Sequence, residues 1–121
     1  MTSVTRALDS FFSGFGIPAY PEGGAPTEPG PPYITVQIVT PRWDAPMAFY
    51  ARVWYRAAYL TEIAAKVDEI AAAIGEGVSI PTETGVVWIH KGDSFAQRQE
   101  MAGDPTLQCV YLSMILQAFT D

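Results

Sequence analysis

Few side chains in this 121-residue sequence could carry out a reaction, and their spacing does not assemble them into a site. His90 is the only histidine. A His-based metal site would need several carboxylates beside it, and His90 is followed at once by Lys91, which repels a cation. As a general base it would also need a positioned partner, and none precedes or follows it in the strand it ends. Cys109 is a lone thiol inside an apolar stretch, where cysteine behaves as a small hydrophobe. Asp93, Glu100 and Asp104 share one segment, but the central glycine and distal glutamate of a calcium loop are missing from their spacing. Gly23-Gly24 neither follows a strand nor opens a helix, so it is no phosphate loop. No nucleophile elbow occurs. These residues imply no enzyme activity, no metal and no cofactor.

The elements that would position such groups are clearer than the groups themselves. Tyr33–Val39 and Phe49–Tyr55 combine β-branched and aromatic residues in extended alternation and predict two strands. In the second, Phe49, Ala51, Val53 and Tyr55 make the core face, leaving Tyr50, Arg52, Trp54 and Arg56 on the other. Arg52 and Arg56 beside Trp54 give that outer face either stacked, solvated guanidiniums or a cationic and aromatic contact surface. Ile63, Val67, Ile70 and Ile74 recur at spacings of four, three and four, one face of an amphipathic helix, with Thr61 as its cap and Gly75 and Gly77 as its stop. A first helix begins at Thr2 or Ser3, with Val4, Leu8, Phe11 and Phe12 inward and Arg6 and Asp9 outward. Val78–Ile80 predicts a short strand and Val86–His90 another. Gly92–Pro105 reads as a loop. Leu107–Phe119 is apolar on both alternating sets, the pattern of a central strand or of one covered by a neighbouring subunit.

Prolines at 18, 21, 26, 29, 31 and 32 favour residues 18–32 as a stiff, extended arm that lies on the domain or on a neighbour, the alternative for such a composition being a flexible linker. Pro41–Pro46 joins the first two strands and carries Trp43 at its tip. The fold predicted from these elements is α+β: a small, mainly antiparallel sheet with one long amphipathic helix packed on a face, plus an N-terminal helix, all in a single domain over residues 1–121.

Composition narrows the function classes. Apolar residues make up 49% and charged residues 17%, leaving much uncharged surface to be covered by a permanent partner or a closed oligomer. The net charge of −6 argues against wrapping nucleic acid, which needs a basic patch. One cysteine means no internal disulfide and suits a reducing compartment. No apolar run approaches the roughly 20 residues of a membrane span, and the N-terminus lacks the continuous apolar core of a secretion signal.

Several segments together resemble the tail terminator (tail-completion) proteins of long-tailed bacteriophages and prophages. They are Phe15-Gly16-Ile17-Pro18-Ala19-Tyr20 after the first helix and Pro32-Tyr33-Ile34-Thr35 opening a strand. Val53-Trp54-Tyr55-Arg56 precedes the helix with Ala64-Ala65-Lys66-Val67-Asp68-Glu69-Ile70, and Val87 through Gln97 runs toward the last strand. The resemblance implies a homo-oligomer, a hexameric ring on the head-proximal end of the tail. There it would be assembled in the host cytoplasm, end tube polymerisation and offer a docking surface to the head-closure or connector protein. The tail tube protein would be its other partner. DNA would pass through the lumen without specific binding, which the acidic balance favours. Candidate interface residues on this reading are Tyr20, Trp43, Arg52, Trp54, Arg56, Lys91, Phe95, Gln97 and Arg98. Other readings are a further neck or head-closure ring protein, and a small ligand-binding domain or enzyme.

Overall fold

A computed structural model describes residues 3–25, 30–40, 45–83, 85–99 and 105–120. Helix α1 spans Ser3–Phe12 and is followed by a 3-10 turn over Ser13–Phe15; helix α2 spans Leu60–Ile74. The strands are β1 (Ala19–Pro21), β2 (Tyr33–Val36), β3 (Met47–Arg56), β4 (Val78–Pro81), β5 (Gly85–Gln99) and β6 (Leu107–Thr120). They form one sheet in the order β1-β2-β3-β6-β5-β4, parallel between β1 and β2 and antiparallel elsewhere.

This architecture corrects the expected α+β plan. The described residues are mostly sheet, 48% strand against 26% helix, and the sheet curls into a six-stranded half-barrel with two short helices rather than one dominant long one. The excess of strand comes largely from β5 and β6, which are 15 and 14 residues long. The segment from Gly92 that reads as a loop continues β5 as far as Gln99, and the proline arm contributes β1. Polar residues on both faces hide the first of these strands from periodicity, and prolines hide the second.

Helix α1 packs on β1 and β2 at one rim of the curl and on β4 at the other, while α2 packs on β3 and β5, so both lie on the concave side. Val4, Leu8 and Phe12 of α1 and Ile63, Ile70 and Ile74 of α2 are buried there. They meet alternate residues of the sheet: Ile34 and Val36 of β2, Phe49, Ala51 and Val53 of β3, and Leu112, Met114 and Leu116 of β6. Burial of this apolar area, at about 25 cal/mol per Å2, is the main term holding the curl closed around the helices. Phe15 is buried as well, and its carbonyl accepts a hydrogen bond from Lys66 of α2, tying the 3-10 turn to the second helix.

Two local expectations also change. Thr61 lies inside the first turn of α2; the capping position falls on Tyr59, which makes no side-chain cap bond. Asp9, expected outward, is half-buried, and its Oδ1 atom is out of water without a hydrogen-bond partner among the described residues. Burial accordingly raises its carboxyl pKa. No helix among the described residues is long and apolar enough to cross a membrane.

Candidate functional site: the helix-free face of the sheet

Side chains alternate across a strand, so the register that points Val53 inward points Trp54 out on the convex face. Residues aligned on that face are Tyr20 of β1, Tyr33 and Thr35 of β2, Tyr50, Arg52 and Trp54 of β3, Tyr111 of β6, and Gln97 and Gln99 of β5. No described helix lies over them, and most are only half-buried.

They form two linked clusters. In the first, Tyr20 packs edge-on to Tyr33 at 5.9 Å between ring centroids, and Tyr33 packs on Trp54 at 6.3 Å. The indole Nε1 of Trp54 donates to Thr35 Oγ1 at 2.9 Å, which fixes the ring against β2. In the second, Tyr50 and Tyr111 stack across the β3–β6 pair at 5.1 Å. The Arg52 guanidinium lies 4.7 Å from the Tyr50 ring centroid and 5.4 Å from that of Tyr111. It donates to Gln99 Oε1 at 3.3 Å and to Glu22 Oε1 at 3.2 Å, and the Tyr50 hydroxyl donates to the same carboxylate at 2.6 Å. That bond to Glu22, followed by burial, pushes the Tyr50 hydroxyl above its ordinary pKa. The Arg52–Glu22 pair is partly exposed, a setting in which an ion pair is worth only about 0–1 kcal/mol. Its effect is to orient the rings and the guanidinium ahead of any contact, which lowers the entropy lost when a partner docks.

The structure therefore brings Tyr20, Arg52, Trp54 and Gln97 of the candidate residues onto one face, with Arg56 at its exposed end. It sets the other described candidates apart. Lys91 aligns with Met114 and Arg98 with Val110, both on the concave side, and Phe95 lies in the irregular stretch between them. There β5 advances from Lys91 to Ala96 while β6 moves only from Met114 to Leu112, a bulge centred on Gly92–Phe95. Gly92 makes a close approach: a Cβ there would sit 3.0 Å from Ser113 Oγ and 3.2 Å from the Ser113 carbonyl oxygen, so that a side chain would press on β6. Trp43 lies outside the described residues.

Sequence reasoning placed Tyr50 on this outer side without naming it a contact residue, and missed Tyr33, Tyr111, Glu22 and Gln99 as members of the face. The i, i+2 spacing of Tyr50, Arg52 and Trp54 was the visible signal for Tyr50; Tyr111, Glu22 and Gln99 join only through cross-strand register and the turn after β1.

Chemically, the face can bind by stacking and charge-assisted hydrogen bonds. Among the described residues no group of three or more His, Cys, Asp and Glu gathers. His90 packs on Trp88 at 4.6 Å between centroids. An open cleft of about 420 Å3 at the foot of β3 is walled by Pro31, Pro32, Tyr55 and Tyr59, with Arg56 and Glu62 at its margins. Cys109 lies opposite Trp54 and is buried; desolvation pushes its thiol up to about 11, with nearby Arg52 opposing the shift. The folded state thus holds this proton more tightly than the unfolded chain does. Its stabilising contribution is complete below the unfolded thiol pKa and is lost as pH rises through 9 toward about 11. The urea midpoint should accordingly fall over that interval, and Cys109→Ala should flatten part of the fall; an unchanged slope would show a thiol that titrates as freely as in the unfolded chain. In comparisons with known proteins, the sequence matches no family model and no curated protein.

Proposed function

We propose that this chain is a structural subunit of a ring that caps the head-proximal end of a long-tailed phage tail, ends tube polymerisation and presents the surface on which the head connector docks. The observation that carries this reading is the convex face itself. Aromatic rings and Arg52 are oriented there by Thr35, Glu22 and Gln99, and no described helix covers them. Tyr, Trp and Arg are the residues that anchor protein interfaces, and an arrangement already ordered in the subunit suits binding to a large partner. The low charged fraction of the chain and the sequence resemblance to tail terminators point the same way. A ring built from heterologous contacts needs two different adhesive surfaces per subunit, and a chain with helices on one side of its sheet and rings on the other offers two.

Cryo-electron microscopy of phage particles encoding this chain tests the proposal. Density for a ring of this fold between tail tube and connector is expected. A solitary copy, or a location elsewhere in the particle, overturns it. At the residue level, Trp54→Ala should leave a folded subunit, since the indole is outside the concave core, while weakening assembly. Removal of an aromatic hot spot costs about 2 kcal/mol, or roughly 30-fold in affinity. Loss of the folded state in this variant would instead give Trp54 a purely architectural role.

A further inference from the structure

Among the described residues, acidic and basic side chains are segregated on this molecule, and most of them have no ion-pair partner. On α2 the exposed side carries Asp68 and Glu69, with Glu76 just past its end. Asp68 and Glu76 form no ion pair with a described residue, and Glu69 meets only Lys66, which also donates to the Phe15 carbonyl. The last turn has no basic residue, so the partial negative charge of the helix C-terminus adds to theirs. Between the acids stand Ala65 and Ala72, small and exposed, which allow another backbone close approach. The opposite case is found on β5. Beyond Ile89 that strand loses β4, so its outer edge through Gln99 has no sheet neighbour among the described residues. Along it Lys91 and Arg98 both project on the concave side. The Lys91 ammonium lies 5.6 Å from the Phe95 ring centroid, and neither cation makes an ion pair with a described residue.

We infer that the open length of β5, through Lys91 and Arg98, docks against the acidic, alanine-lined side of α2 of a second copy of this chain. The inference rests on the ring reading and specifies its subunit contact. Complementary charges that stay apart within one chain are satisfied between two, and a helix laid along an open strand edge is a usual way of covering it. Because one copy gives the strand and the next gives the helix, the contact is head-to-tail, the kind that closes into rings.

Sedimentation of the full-length chain at micromolar to millimolar concentration tests it. Wild type should self-associate, and more weakly as salt rises from about 50 to 500 mM. Lys91→Glu with Arg98→Glu should weaken association by about tenfold or more, with circular dichroism unchanged. Adding Asp68→Lys and Glu69→Lys to that chain should restore association. A wild-type chain that remains monomeric, a reversed chain that associates like wild type, or a folded four-fold variant that does not recover overturns the contact. Association insensitive to these reversals removes this contact and leaves the ring itself to be judged by its position in particles.

Discussion

Phe12→Ala is expected to lower stability by about 3–5 kcal/mol, a large part of the about 5–15 kcal/mol that holds a domain folded. The side chain is fully buried and packs edge-to-face on Phe11 at 5.1 Å and tilted against Phe15 at 6.5 Å. It also closes α1, which touches both rims of the curled sheet. Truncation therefore opens a cavity where the two rims are held together, and little can collapse into it because the surrounding strands are fixed by their ladders. Urea denaturation followed by circular dichroism measures the loss. Phe11→Ala, at a half-buried position on the same helix, should cost less. An unchanged midpoint for Phe12→Ala would mean that α1 does not fill the curl.

Gly77→Ala is expected to be comparably damaging, by about 2–6 kcal/mol. Gly77 has φ of +154°, a conformation that residues with a side chain rarely adopt and that costs about 1–3 kcal/mol. A Cβ there would also lie 2.6 Å from Cζ2 of Trp88, and overpacking of this kind costs about 1–3 kcal/mol more. The turn cannot easily shift, since the Gly77 amide donates to the Ile74 carbonyl and Ile74 is buried at the end of α2. A double-mutant cycle separates the two causes. Trp88→Ala should relieve the steric part of Gly77→Ala and leave the backbone part, so the paired loss falls short of the sum. Full additivity would show that the indole does not press on this turn.

What could be read from the residues, and what could not, follows from where water is excluded on one side only. The alternation of β3 from Phe49 to Tyr55 and the helix face Ile63, Val67, Ile70 and Ile74 were legible because one side of each is buried against the core. The second half of β5 was not. From Lys91 to Gln99 both of its faces are exposed or half-exposed, and a glycine and a positive-φ Ser94 interrupt it; it is a strand because β6 pairs with it. The weight given to the helix in the expected fold class was an error of the same origin, since sheet that is held by partner strands leaves no period in the sequence. For the candidate site, composition pointed to Arg52 and Trp54, but the meeting of Tyr50, Tyr111, Glu22 and Gln99 around Arg52 depends on register. A one-residue slip of β6 would have sent Tyr111 to the opposite side.

The two border strands of the sheet, β1 and β4, are three and four residues long, and each terminates in a proline, Pro21 and Pro81. Proline has no amide hydrogen to offer an arriving strand, and so short a border gives little template for one. Strand addition at these two margins is thereby frustrated, and among the described residues the length of β5 beyond Ile89 is left as the edge still open to it.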